Sequence, residues 1–355
     1  MKKSLLSILA CPRCEGEIEL KPGETIKNGE VISGSLQCLN CGLGLPIIEG
    51  VPCMLLPEQQ QQELEGFTSQ WQYRFSGKFE GASSLYGSNP EDRIEHILAK
   101  FVCPIQPNEW ILDAGCGSAE MTFAMAQKNP QAQIVGLELS KAVRLAARQA
   151  GSVANIHFVQ GDVMNPPLKK TTFRKIYSMG VLHHTSNTKT AFEHVASLLS
   201  NYGDMVIWLY PDPLESPANI PYYAVRDVVF MGMGHKIPSE LRFWSIRTYS
   251  LAILPLIIVA RFFWKYFFDF GQKMDWFLLQ NHSFEEINEA TSFWEKLDLL
   301  ETYQTICFWL FDDITPEFQF RHKKQEVIQW FQENKFDEVH ADNIGTYWGK
   351  RLVNN

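Results

Sequence analysis

Trp110-Ile111-Leu112-Asp113-Ala114-Gly115-Cys116-Gly117 is the stretch on which the reading of the chain turns. Its first five residues form a short apolar run of the kind that makes a strand buried in a parallel sheet, and Gly115 and Gly117 end it. Glycines there permit a tight turn and let a ligand approach the backbone. The helical pattern that follows, at about 119–128, offers unpaired N–H groups at its start. A dinucleotide fingerprint would want a third glycine three residues after Gly117, but Glu120 stands there, which counts against NAD.

Outward from this stretch, strand and helix signals alternate. Residues 134–139 read as a second strand, with Ser140 as N-cap of a helix reaching about residue 150. Runs at 156–160, 173–178 and 205–210 supply three more strands. A helix at about 190–200 precedes the last, and Leu199-Ser200-Asn201-Tyr202-Gly203-Asp204 reads as its exit loop. Such alternation implies a doubly wound α/β sheet. Roughly a hundred residues without a sheet pattern then intervene before a helical spacing at 323–334. Strand-like runs at 336–341 and 346–353 are placed to close the sheet as an antiparallel edge. The expected divisions are a Cys-rich unit at 1–57, a connector at 58–108, the core at 109–210, an aromatic-rich insertion at 211–321, and a closing segment at 322–355.

Two acids accompany the glycine turn. Glu138 ends the second strand, where a carboxylate can accept both ribose hydroxyls of an adenosine ligand. Gly161-Asp162-Val163 follows the third strand, where an Asp can accept from an adenine amino group and the next N–H can donate to the ring. All three elements fall at carboxyl ends of strands, the mouth of an open α/β sheet. With Leu112-Asp113-Ala114-Gly115-Cys116-Gly117, Val135-Gly136-Leu137-Glu138-Leu139-Ser140, Phe158-Val159-Gln160-Gly161-Asp162-Val163 and Tyr177-Ser178-Met179-Gly180-Val181-Leu182-His183-His184, residues 109–210 resemble the class I S-adenosylmethionine (SAM)-dependent methyltransferases of type 11. The resemblance implies a Rossmann-like seven-stranded sheet. It further implies that Asp113, Gly115, Cys116 and Gly117 hold the methionyl part of SAM, Glu138 with Leu139 the ribose, and Asp162 and Val163 the adenine. Ser178 and Gly180 would lie under the cofactor. Arg174, where relatives often carry Asp, and the 199–204 loop depart from the family pattern away from these contacts.

Cys11-Pro12-Arg13-Cys14 and Cys38-Leu39-Asn40-Cys41 are paired CxxC knuckles. Two thiolates three positions apart grip one face of a tetrahedral zinc ion, and a second pair completes it. Four protein ligands leave no open position, so the expected Zn2+ is structural. In a segment too small for a sizeable core, the metal would supply much of the folding energy. The following Gly44-Leu45-Pro46-Ile47-Ile48-Glu49-Gly50-Val51-Pro52-Cys53-Met54-Leu55 is similar to the zinc-ribbon activators that partner tRNA and release-factor methyltransferases. That resemblance implies a docking role and a protein partner through the ribbon. Cys53 and Cys116 read as buried small residues and not as ligands.

For the methyl acceptor, His183 and His184 follow the fourth strand and offer an imidazole base or orienting group. Trp71 and Tyr73 lie in a segment resembling the aromatic stretch that folds over the cofactor in related enzymes, and a cation–π contact to the sulfonium is one role for them. Trp208 and Tyr210, ending the fifth strand, and His322, before the last helix, are candidate acceptor contacts; sheet and loop packing are the plain alternatives. The insertion, expected as a helical lid, is aromatic in a chain with 10 Trp and 24 Phe, which favours a partly apolar small-molecule acceptor. A net charge of -8 disfavours nucleic acid, whose affinity rests on Lys and Arg. Paired cysteines point to a reducing compartment, hence the cytoplasm. The stretch 249–268 is apolar but broken by Pro255, Arg261 and Lys265, so it suits a buried or lid helix, or peripheral membrane contact, better than a span. Two other readings remain: an RNA or protein methyltransferase docking through the ribbon, and a non-catalytic binding module on the same fold.

Overall fold

Residues 1–57, 65–76, 90–151, 153–215, 237–267 and 299–352 are described by the computed structural model. The N-terminal ribbon begins with a 3-10 turn at Lys3–Ile8 and continues through β1 (Ile18–Leu20), β2 (Thr25–Lys27), β3 (Glu30–Cys38), β4 (Gly44–Ile48) and β5 (Val51–Pro52). Its antiparallel order is β1-β3-β4-β5, with β2 paired to β3. Burial alternates along β4, so Leu45 and Ile47 point inward while Gly44 and Pro46 face out.

After the ribbon come α1 (Glu65–Phe75) and α2 (Pro90–Leu98), then the alternating core. The core runs β6 (Trp110–Ala114), α3 (Glu120–Lys128), β7 (Gln133–Glu138), α4 (Ala142–Ala150), β8 (Ile156–Gln160), β9 (Phe173–Met179), α5 (Thr188–Ser197) and β10 (Leu199–Trp208). The seven-stranded sheet has the order β11-β12-β10-β9-β6-β7-β8, completed by α8 (Lys324–Glu333), β11 (Phe336–Ala341) and β12 (Thr346–Arg351). The strands from β10 to β8 are parallel, and β12 and β11 turn antiparallel at one edge. This is the doubly wound, Rossmann-like sheet of the sequence reading. β6, β7 and β8 are buried along almost their whole length, as strands of a parallel sheet are.

Two local expectations change. Ser140 does not cap α4: Lys141 occupies that position without a side-chain cap bond, and the Ser140 N–H instead donates to Glu138 Oε1 at 2.8 Å. The 199–204 segment is not a loop, because β10 starts at Leu199 and carries an irregularity before Asp204. Asp204 is fully buried against Lys175 of β9 and accepts from the Cys103 N–H at 3.1 Å, which draws the segment into the sheet. The preceding helix ends earlier for the same reason. It also starts earlier, since Asn187 accepts from the Thr190 N–H at 3.0 Å and caps it.

The ribbon lies on the other edge of the sheet, beside β8. Cys53 bridges Gln160 in parallel register, and the Met54 N–H donates to the Gln160 carbonyl at 2.8 Å. Ribbon side chains Leu9, Leu45, Ile47 and Met54 belong to the same apolar core as Leu137, Val159 and Leu168. The exposed edge of an open sheet is an association hazard, and here the ribbon covers it.

The residues divide into two units, one of 1–64, 94–215 and 318–355 and a second of 65–93 and 216–317. Within the second, α1, α6 (Ser239–Phe267) and α7 (Leu299–Ile314) gather Tyr73, Phe243, Ile246, Tyr303, Phe308 and Phe311 into a core of their own. Of the insertion, 216–236 and 268–298 lie outside the described residues, as does residue 268 of the apolar stretch. No helix among the described residues is long and apolar enough to cross a membrane.

Candidate functional site

At the tip of β6 the chain turns through Gly115 (φ 92°) and Gly117 (φ 51°). Gly115 has no room for a side chain: a Cβ there would meet Val181 at 2.4 Å. Both the Gly115 and Cys116 N–H groups donate to the Leu137 carbonyl, at 2.8 and 2.9 Å, tying the turn to β7. The Gly117 N–H donates to Glu138 Oε2 at 3.0 Å. Glu138 is therefore held by two backbone N–H groups, Gly117 on one oxygen and Ser140 on the other. Burial pushes its carboxyl above the usual range, against the pull of the Ser140, Gly117 and Leu139 contacts. The Glu138 carbonyl in turn accepts from the Gly161 N–H at 3.0 Å, which joins the third strand's turn to the second. Turn, acid and Gly161-Asp162-Val163 thus meet along three adjacent strand tips.

The other expected cofactor residues divide by what they touch. The Asp113 carboxylate accepts from the Thr122 hydroxyl of α3 at 2.6 Å, bracing the helix that follows the turn. Ser178 is spent on the sheet, donating to the Ala114 carbonyl at 2.7 Å. Gly180 (φ 76°) donates to the Trp208 carbonyl at 3.2 Å. Asp162 accepts the Met164 N–H at 2.8 Å in a tight turn, with Val163 buried beside it. The Leu139 carbonyl takes the Gln160 amide at 3.1 Å. Burial, with the Asp113 and Glu138 carboxylates, drives the Cys116 thiol well above its ordinary pKa, so it stays protonated and inert.

An adenosine ligand fits what Glu138 leaves over. An ionised carboxylate offers about four lone-pair positions, of which the two backbone donors use two. The remainder match a pair of vicinal hydroxyls, and donors there would offset the burial that disfavours the charged form.

Two residues after the Val181 that packs on Gly115 begins a ring cluster. His183 is fully buried, stacks on Tyr210 at a centroid distance of 4.0 Å, and meets His184 at 4.2 Å and Trp208 at 5.8 Å. Neither of its ring nitrogens has a hydrogen-bond partner among the described residues. Burial, then the charges of His184, His322 and Arg321, pushes its pKa far below the ordinary value, so the ring is neutral. His184 is different: its Nδ1 lies 3.0 Å from the Phe318 carbonyl. Trp208 donates from Nε1 to the Ile344 carbonyl at 2.7 Å. His322 pairs Nδ1 with Glu326 at 3.4 Å, and its N–H donates to the Tyr210 carbonyl at 3.0 Å. Five of the expected acceptor residues are thus brought together. Trp71 and Tyr73 belong to the second unit, where Tyr73 packs 4.5 Å from Phe243 and Trp71 6.3 Å from Phe308.

Sequence reasoning missed Thr122, the packing of Val181 on Gly115, and the bond by which the backbone N–H of Phe320, two residues before the expected His322, donates to the His183 carbonyl at 2.9 Å. Their roles depend on contacts between distant segments and leave no local pattern.

In the ribbon the four cysteine sulfurs lie within 4.8 Å of one another. Cys11 and Cys41 are 3.6 Å apart and Cys14 and Cys38 3.5 Å, against about 3.8 Å for the edge of a tetrahedron with 2.3 Å zinc–sulfur bonds. The donor set fits Zn2+. Burial raises Cys11 to about 12, while N–H groups of Cys41 and Asn40 and the neighbouring thiols overcome desolvation at Cys38 and draw it down to about 6.

A family described as "Methyltransferase domain" matches residues 111–203, and one described as "Trm112p-like protein" matches residues 2–50. Among curated relatives, a trans-aconitate 2-methyltransferase of Deinococcus radiodurans is 42% identical over 17% of this chain and 23% of that one. Its Escherichia coli namesake is 27% identical over 33% of this chain and 45% of that one. An uncharacterized protein of Synechococcus is 31% identical over 29% of this chain and 25% of that one. The chain therefore spans between about a quarter and under a half of the length of these relatives. A solved Haloferax volcanii complex containing the Trm112 methyltransferase activator overlaps 43% of this chain and 66% of that one at 18% identity, with a TM-score of 0.35. The sequence matches stand on the same residues as the glycine turn and the cysteine cluster. The chain carries a methyltransferase domain and, N-terminal to it, a Trm112p-like zinc-ribbon domain.

Proposed function

We propose that the protein is a SAM-dependent methyltransferase acting on a small, partly apolar metabolite, with a structural Zn2+ in its ribbon. The observation that carries this reading is Glu138, fixed by two backbone N–H groups beside the glycine turn and left with acceptor capacity for a ribose. SAM, when bound, supplies an activated methyl group on a sulfonium. Gly115, Cys116 and Gly117 would flank its methionyl part, Glu138 and Leu139 its ribose, and Asp162 and Val163 its adenine, with Ser178 and Gly180 forming the floor. Asp113 would act through Thr122, by fixing the helix behind the turn.

Such a transfer asks the protein mainly to align a nucleophile and exclude water. The ring cluster suits that work. Tyr210, Trp208 and His322 would form an aromatic wall for the acceptor, and the buried His183, with both ring nitrogens open to a hydrogen bond, would orient it. His184, tied to Phe318, would orient the turn.

The ribbon's docking on its own chain supports a built-in role over recruitment of a separate methyltransferase. Calorimetric titration with S-adenosylhomocysteine tests the cofactor reading, with one site per chain expected and no binding overturning it. Labelled SAM incubated with cell extract tests the acceptor. Label in an organic-soluble small-molecule fraction is expected, whereas label confined to RNA or protein would sink that assignment.

A further inference from the structure

The turn assigned to adenine is bracketed by the ribbon on both sides. Before it, the Gln160 carbonyl accepts from Met54 at 2.8 Å. After it, the Asn165 side-chain amide donates to the carbonyl of Pro12, one of the two residues between the first knuckle's cysteines. Between these points the turn closes on itself: Asp162 bridges Asn165, whose N–H donates to the Asp162 carbonyl at 3.0 Å, and Asp162 Oδ1 takes the Met164 N–H. The strip beyond continues the contact. Leu9 bridges Leu168, the Ala10 N–H donates to the Pro167 carbonyl at 3.0 Å, and the Lys169 N–H donates to the Ile8 carbonyl at 2.8 Å. Cys11 sits inside this strip, one residue from each of Ala10 and Pro12.

We propose that zinc binding and SAM binding are thermodynamically coupled in this chain, with Asn165 as the positioning residue that transmits the coupling. The inference rests on the cofactor reading above. Without metal, the knuckle from Cys11 to Cys14 is held by backbone contacts, Cys11 N–H to the Gly16 carbonyl at 2.9 Å, Glu15 N–H to the Cys11 carbonyl at 2.8 Å and Arg13 N–H to Cys11 Sγ at 3.4 Å, and by the Asn165 amide on Pro12. Four metal bonds fix the Pro12 carbonyl in space, and Asn165 passes that fixity to the turn carrying Asp162 and Val163. A turn already ordered costs less to order again when adenine arrives. Linkage makes the effect reciprocal: a bound adenosyl ligand must tighten the ribbon's hold on zinc by the same factor.

The zinc-loaded full chain is challenged with a chromogenic chelator under conditions where metal exchange is reversible, with and without saturating S-adenosylhomocysteine. The ligand's affinity is measured by calorimetry on zinc-loaded and zinc-depleted protein. In the native sequence the ligand should raise apparent zinc affinity about fivefold or more, and zinc removal should weaken ligand binding by the same factor. Asn165→Ala, and the isosteric Asn165→Asp, which lacks the donor, should each abolish that mutual effect while still binding both zinc and ligand. A residue serving only general stability would lower the unfolding midpoint without erasing the reciprocity. If the native protein binds the ligand but zinc affinity does not respond, the coupling is overturned. Coupling undiminished in folded Asn165 variants would overturn the role of Asn165. If the native protein binds no S-adenosylhomocysteine at all, the cofactor reading fails first, and this inference falls with it.

Discussion

In the ribbon, four sulfurs converge within 4.8 Å and much of the apolar packing is shared with a neighbour. In the seven-stranded sheet, Leu112, Val135, Val159, Ile176 and Ile207 are buried outright on parallel strands. The first region is organised around a donor set and a borrowed surface, the second around its own interior. A ribbon of this size cannot bury enough apolar area to fold alone, while an α/β sheet of this size can. The difference shows that the ribbon serves the sheet as an edge cover and the sheet serves the ribbon as a core.

The comparison breaks most visibly at the cysteines. Replacing Cys11 and Cys14 by Ser should abolish stoichiometric zinc and forfeit an apparent contribution on the order of 10 kcal/mol, leaving the ribbon protease-sensitive while the sheet persists. Metal analysis with limited proteolysis would check this, and simultaneous digestion of both regions would contradict it. Next in size, Asp204→Ala leaves Lys175 charged and buried inside the sheet, and chemical denaturation should register a loss of about 3–5 kcal/mol without touching zinc content. Glu138→Ala, in the proposed cofactor site, should weaken S-adenosylhomocysteine binding about a hundredfold, roughly 2.7 kcal/mol, with little change in zinc.

Acid tests the seam between the regions. Burial first, then the nearby Lys2 and N-terminal charges of the ribbon, hold His157 of β8 down to about 3. The unfolded imidazole has its ordinary value near 6.5, so between these values the unfolded chain binds a proton that the folded chain refuses. Stability is complete above about pH 6.5 and falls as pH drops toward 3. Urea titrations should give about 1 kcal/mol less stability at pH 5.5 than at pH 7 from this group, and His157→Gln should flatten the slope accordingly. His183 and His322 shift in the same direction and would add to it. Smallest of all, Arg148→Ala removes an ion pair with Glu49 whose partners are both largely exposed, and stability should move by less than about 1 kcal/mol. A larger loss would mean that charge, and not apolar contact, holds the ribbon on the sheet.

What could be read in advance was whatever is local. β8 and β11 match the expected 156–160 and 336–341 because alternation and apolar runs are properties of a few neighbouring residues. Glu138 and the glycine turn were legible because the order of strand tips follows from chain order in a doubly wound sheet. The Ser140 cap failed because the helix starts one residue later than the pattern suggests, with Lys141 at the position before Ala142, a shift that propensity does not resolve. The strand at 199–204 was hidden because its cause is Lys175, on another strand. Nothing in the sequence announces that Pro12 meets Asn165, or that Thr122 holds Asp113, since neither pair shares a period or a motif.

The docking strip has a consequence for how the chain is made. Ribosomes deliver residues N-terminus first, at about 5–20 per second, so the ribbon is finished roughly 5–20 s before residues 156–169 exist. During that interval no sheet edge is there to lean on, and the nascent ribbon would depend on capturing the Zn2+ proposed for it. Cells starved of zinc at that moment would release chains whose first knuckle never set, and dosing them with metal afterwards would have to repair an edge already exposed.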